Sequence, residues 1–256
     1  MSELYPPESL RMGFVGHLEE LRRRILLSLA GYVLVCCVLF GYGRVLLRWL
    51  ELPAHGLLPE LVFLSPTEAF SAYVQVVLLA ALIFSFPFFL YQLWAFLAPA
   101  LSASLRRVIL AWLLFAVVCF AGGLAFTFLI LLPAALNFLL NFGVGIARPV
   151  ISLSKYVSFV SVFLLMGGMV FEIPVLVGML TEAGVIDSQR LRAGRRYAIL
   201  FNITAAAILT PTQDVVNLLL FSAPMIVLYE IGILLAMWVE RRRAQRNLRE
   251  GVADDK

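Results

Sequence analysis

The 256-residue chain is 62% hydrophobic and only 14% charged, with a mean hydropathy of +0.96, whereas soluble domains are roughly half apolar and a quarter charged. That composition excludes a soluble globular domain and specifies an all-α polytopic membrane protein. The net charge of +4 does not signal nucleic acid, because the bases sit at the ends of apolar runs, where the positive-inside rule places them.

The chain reads as one transmembrane domain over 1–256: a cytoplasmic segment 1–24, a spanning region 25–239 and a charged tail 240–256. The opening segment has acids among its bases and no small-residue cleavage site, so no removable signal or transit peptide is expected. The first span is then its own insertion signal. Apolar runs follow at 25–42, 73–96, 108–132, 156–180, 197–209 and 215–239, against the roughly 20 apolar residues that a helix needs to cross the hydrocarbon core. The fifth has 13 residues, roughly 20 Å of helix against a core near 30 Å. Glu230 leaves 215–228 as the uninterrupted part of the sixth. Spans five and six therefore read as a short hairpin, and a short hydrophobic length is met by local bilayer thinning or by association with neighbours.

Counting Lys and Arg in the exposed segments puts 16 on the side of both termini and 4 on the other, which places both termini in the cytoplasm. The external segment 43–72 contains Pro53, Gly56, Pro59 and Pro66 and reads as a cap of short helices. A second external segment, 133–155, opens at Pro133 and contains Gly143, Gly145 and Pro149. Pro87, Pro174 and Pro224 each free a carbonyl inside a span and are expected to kink it. Cys36, Cys37 and Cys119 lie in apolar runs without CxxC or histidine spacing, which argues against a disulfide framework and a metal site.

The charged stretch GHLEELRRR at 16–24 places His17, Glu20 and Arg24 on one helical face and Glu19 and Arg23 on another. Such pairs contribute only about 0.2–0.5 kcal/mol each, so local pairing and a carboxylate open to an incoming guanidinium both fit this pattern. Glu172 lies inside the fourth span, where an ionisable group is costly unless it is paired, protonated or facing a wet cavity. It is a functional group in a cavity, or a protonated acid bonded to a carbonyl freed by Pro174. Gln92 in the second span poses a weaker form of the same question. Thr212 or Asp214 fits an N-cap of the sixth helix. Ser65, Pro66, Thr67 and Glu68 fit a helix start, with Pro66 at the first helical position and a carboxylate in the first turn. The sequence offers no Ser/His/Asp set, metal cluster or phosphate-binding glycine loop, so neither an enzyme nor a cofactor is expected.

Six motifs occur in a recognisable order: HLEELRRRI at 17–25, LSPTEAF at 64–70, YQLWAFLAPAL at 91–101, FEIPVL at 171–176, LTPTQDVVN at 209–217 and LYEIGI at 228–233. Together they resemble the TatC family, the multispanning receptor subunit of the twin-arginine protein translocase, almost end to end. The resemblance implies a glove-shaped six-span protein of the bacterial inner membrane that binds Arg-Arg signal peptides of folded cargo. It also implies TatA- and TatB-type single-span partners, self-association within a lipid-embedded complex, and dependence on the proton-motive force without ATP hydrolysis. Carried over by position, Glu20 resembles the glutamate that binds the signal's arginines, with Arg22 as the neighbouring basic position and His17 and Glu19 beside it. Arg106 and Arg107 match the basic pair of the first cytoplasmic loop. Glu172 resembles the buried glutamate of the concave face, and Asp214 the external-turn aspartate.

One departure stands out: the family commonly has a second glutamate just before the loop's basic pair, and here that position is Leu105. Leucine cannot pair with a guanidinium. Either Glu19 supplies the second carboxylate, from about 100° around the helix, or signals bind more weakly, or the chain is a paralogue without full receptor function. The rival from another class is a proton-coupled solute transporter using Glu172. The lack of the two related halves common in secondary transporters weighs against it.

Overall fold

The computed structural model describes residues 14–54, 61–98, 103–142, 150–209 and 214–254. Among these, all regular structure is helical apart from one parallel bridge between Val62 and Ser152. Five segments are long and apolar enough to cross a membrane: Gly16–Phe40, Glu68–Leu97, Val108–Phe142, Leu153–Glu182 and Val215–Gln245. Together with the shorter helix Arg195–Leu209, they account for the six runs of the sequence.

Helix α1 (Phe14–Phe40) packs along α3 (Glu68–Leu97), and none of its apolar window is buried. Leu26, Leu29 and Leu34 point away from the protein. Lipid tails are as apolar as leucine, so such a face carries no penalty in a bilayer. Gly31 permits the contact, since a Cβ there would stand 2.5 Å from the Phe88 ring. Beyond the span, α2 (Gly43–Glu51) and a 3₁₀ turn at Leu52–Ala54 form the helical part of the connection between the first two spans; Gly56 and Pro59 lie outside the described residues. Helix α3 begins at Glu68 with Thr67 as N-cap, so Pro66 sits in the turn before the helix and not at its first position. Both α3 and α10 (Val215–Asp254) run on through their prolines, Pro87 and Pro224.

The third run extends beyond the expected end. Helix α4 (Ala103–Phe126) passes through a π-helical turn at Thr127–Leu131 directly into α5 (Leu132–Phe142), so Pro133 lies within the continuing helix and does not open the external segment. Proline lacks an N–H and clashes with the carbonyl four residues back. A π turn just upstream is where a helix absorbs such a mismatch. Gly143, Gly145 and Pro149 lie outside the described residues.

The fourth run is two helices, α6 (Leu153–Val170) and α7 (Ile173–Glu182), broken at Phe171 and Glu172 with Pro174 in the first turn of α7. Its window is 67% buried, which makes it the centre of the molecule. Val157, Val160 and Phe163 are fully enclosed there, with Phe163 edge-on to Phe221 of α10 at 4.6 Å. Small residues set the distance between α4 and α6. A Cβ at Gly123 would fall 2.6 Å from the Gly167 carbonyl oxygen, and one at Gly168 would fall 2.5 Å from the Phe120 ring. Helix α7 stops in a Schellman turn, with Gly184 at φ +75°, its N–H on Thr181 O and Val185 N–H on Leu180 O. Glycine adopts that left-handed conformation without strain.

After the short α8 (Ser188–Ala193), helix α9 (Arg195–Leu209) has 15 residues, about 22 Å, shorter than the hydrocarbon core. Its neighbour α10 is 40 residues long and continues past Glu230. The shortness of the sixth span therefore lies in its apolar stretch and not in its helix.

Candidate functional site

At the end where α1 begins and α3 finishes, five side chains form two contacts between the helices. The His17 ring stacks on Phe96 with centroids 4.3 Å apart. Arg24 donates from Nε to Glu20 Oε1 at 2.7 Å and from Nη1 to Gln92 Oε1 at 3.0 Å. Glu20 and Arg24 keep 18% and 24% of their side-chain surface open, while Gln92 is buried. Two turns of α1 align His17, Glu20 and Arg24, and the antiparallel α3 brings Gln92 and Phe96 alongside them. Glu19, Arg22 and Arg23 face outward, lining a shallow concavity of about 520 Å³. Glu19 is thus separate from the Glu20 cluster. Arg106 is exposed and donates from Nε to the Ala98 carbonyl at 2.7 Å, tying the first turns of α4 to the end of α3. Leu105 and Arg107 lie on α4, and their side chains are outside the described residues.

Glu172 occupies the break between α6 and α7. It is 8% exposed, and its Oε1 is buried without a hydrogen-bond partner. The carbonyl freed by Pro174 therefore does not receive that oxygen. Beside it Phe171 meets Phe126 at 5.4 Å, and the missing Cβ of Gly123 opens the room for Phe171. No described hydrogen bond links Glu172 to the Glu20 cluster.

Residues 16–224 match the family described as Sec-independent protein translocase protein (TatC). The chain belongs to the TatC family. A TatC from Carboxydothermus hydrogenoformans is 36% identical over 91% of this chain and 96% of its own length. That from Koribacter versatilis is 35% identical over 93% and 91%. A crystal structure of the twin-arginine translocase receptor TatC superposes with a TM-score of 0.77 at 33% identity, covering 88% of this chain and 99% of that one. A second, in the detergent DDM, gives 0.78 at 34% identity over 86% and 99%. The chain is accordingly a multi-pass membrane protein and a subunit of the twin-arginine translocase, a protein translocase component.

At the opposite end of this TatC-family fold, Glu68 is buried and joins the segments that precede α3 and α6. Its Oε2 accepts from Leu64 N at 2.6 Å; its Oε1 accepts from Ser154 N at 3.0 Å and from the Ser152 hydroxyl. Glu68 thus does more than complement a helix dipole: it anchors the bridge in which Val62 N–H bonds Ile151 O and Leu153 N–H bonds Val62 O. Ser65 and Thr67 bond each other at 3.1 Å on the exposed side of the same turn. Asp214 accepts from Asn217 N at 2.7 Å and Asn217 Nδ2 at 2.9 Å, the geometry of an N-cap on α10. Thr212 lies outside the described residues.

Among the polar contacts that the sequence reading did not anticipate, three fasten helix to helix. Arg24 on Gln92 was legible in principle, because Arg24 immediately precedes the first run and Gln92 lies four residues before the end of the second, at matching depth. Arg195 pairs with Glu230 at 2.7 Å. In an antiparallel hairpin their positions, 14 residues before the end of α9 and 15 after the start of α10, coincide. Glu240 receives both Ser188 N (2.6 Å) and Ser188 Oγ (2.5 Å), fastening the start of α8 to α10. No local pattern marks that contact, since 52 residues separate the partners.

Proposed function

We propose that this TatC-family chain is the signal-peptide receptor of its translocase, with Glu20 as the carboxylate that takes the guanidinium of an Arg-Arg signal. The observation that carries this reading is the state of Glu20. Its carboxylate is fixed at the lip of α1 and α3, partly open, and opposed among the described residues by an arginine of its own helix. An i,i+4 ion pair is weak, whereas an incoming guanidinium can bind bidentately and with charge assistance. Arg22 lines the concavity on the neighbouring face of α1, and His17 on Phe96 holds the first turn of α1 in place. The apolar part of the signal lies along the concave surface near Gln92 and Glu172. With Leu105 in the second glutamate's position and Glu19 on another face, one carboxylate performs the recognition.

The protein resides in the bacterial inner membrane with both termini cytoplasmic. It works with TatA- and TatB-type single-span subunits and further copies of itself, and the proton-motive force drives export. The partner helices dock at α9 and α10, where the 15-residue α9 favours a thinned bilayer. Family membership weighs against the solute-transporter reading of Glu172.

The deciding experiment is photocrosslinking from a probe placed beside Glu20, in membranes given a signal peptide bearing Arg-Arg or Lys-Lys. Labelling with Arg-Arg alone supports the receptor role. Equal labelling, or none with either peptide, removes it, and solute flux in liposomes becomes the next measurement.

A further inference from the structure

Away from these sites, a cavity of about 510 Å³ opens between α4, α7 and α10, at the end of the bundle where α10 carries Arg241, Arg242 and Arg243. Its floor is apolar: Val239 is 1% exposed and Trp112 8%. Trp112 lies against Gly178 of α7, where any Cβ would overlap the indole. Phe115 and Trp238 form an exposed apolar rim. At the mouth the Arg242 guanidinium lies over the Trp238 ring at 3.7 Å, and it makes no ion pair among the described residues. Glu182, in the wall, is buried and has an interaction of its own.

We propose that this cavity is a binding site for one anionic phospholipid of the leaflet on the Arg242 side, with an acyl chain on Trp112 and Val239 and the phosphate on Arg242. Three features select this occupant. The volume falls in the roughly 300–1,000 Å³ of small-molecule sites, and the walls are apolar as such sites require. One indole, Trp238, and a cation sit at the mouth, where the spans end and headgroups lie, and a basic pocket between helices at that level matches an anionic headgroup. The cavity is also short. It runs from Val108 to Phe115 on α4 and from Leu235 to Arg242 on α10, about 10 Å each, a third of the core thickness that a docked spanning helix would need. The cation–π contact keeps the guanidinium plane on the indole while its N–H groups remain available to phosphate oxygens.

The test is native mass spectrometry of the purified full-length protein, delipidated in detergent and then titrated with phosphatidylglycerol or phosphatidylcholine. One phosphatidylglycerol retained per chain is expected, with a preference over phosphatidylcholine on the order of fivefold, as one interfacial guanidinium supplies. Arg242→Gln should erase the preference, and Ala111→Phe, which fills the cavity from its exposed side, should erase retention of both lipids. Arg196→Gln, an exposed arginine outside the cavity, should change neither. Arg242 is exposed, so its substitution decides the matter even if Ala111→Phe fails to fold. Equal retention of the two lipids by the unmodified protein, an unchanged preference in Arg242→Gln, or displacement of phosphatidylglycerol by inorganic phosphate at the lipid's concentration would overturn the assignment.

Discussion

Arg24 already occupies the carboxylate proposed to receive a signal arginine, and its removal should therefore strengthen binding. Two contacts hold it: the 2.7 Å ion pair with Glu20 and the 3.0 Å hydrogen bond to Gln92. The first is an i,i+4 pair worth about 0.3–0.5 kcal/mol. The second is a partly exposed hydrogen bond worth about 0.5–1 kcal/mol net. A signal guanidinium that displaces Arg24 gives up about 1 kcal/mol, so Arg24→Met, which keeps the unbranched stem, should tighten Arg-Arg peptide binding by about fivefold. Fluorescence anisotropy of a labelled Arg-Arg signal peptide on purified protein in nanodiscs measures it, with a Lys-Lys peptide as the control. A tenfold loss of Arg-Arg affinity in Arg24→Met would refute the reasoning, since it would make Arg24 part of the binding surface and not its placeholder. An equal gain for Lys-Lys would refute it too, reducing the effect to a lost positive charge.

The same assay should show Glu20→Ala losing about 1.5–3 kcal/mol of binding, the worth of a charge-assisted hydrogen bond, with export of a twin-arginine reporter blocked and Sec export intact. Normal export in that variant would remove Glu20 from the site. Gly123→Ala puts a methyl 2.6 Å from a backbone oxygen that no rotamer change can move, so overpacking should cost about 1–3 kcal/mol. A lowered midpoint of thermal unfolding in detergent is expected, and an unchanged midpoint would contradict the close approach of α4 and α6. Glu68→Gln leaves an amide where three donors converge, and hydrogen exchange at Val62 and Leu153 should quicken while the α6 interior is unaffected. Charge reversal at Glu230 alone should destabilise the α9–α10 hairpin, and adding Arg195→Glu should restore it; no recovery in the double variant would argue against the pair.

Much of this architecture was readable because a bilayer imposes simple rules. Apolar runs had to be helices of a required length. The alignment of Glu20 with Arg24 followed from helical periodicity, and Asp214 at the start of α10 from the chemistry of helix caps. The same local reasoning failed at Pro133, because proline alone signals a stop while the π turn at Thr127–Leu131 that carries the helix through has no sequence signature of its own. It failed at Pro66 by a register of two residues, where the fold places Glu68, and not the proline, at the head of α3.

The sequence by itself determined the class of protein, its number of spans and the shortness of the fifth, because those depend on composition and on lengths measured against a fixed hydrocarbon thickness. Only the tertiary structure decided what each polar group inside that framework does. Glu68 meets Ser152 across 84 residues, Arg24 meets Gln92 across 68, and Glu240 meets Ser188 across 52. Partners so distant leave no periodic trace in the chain. They are set by which helices pack side by side, and that is governed by glycines such as Gly123 and Gly178, whose absent side chains become meaningful once a neighbour fills the space.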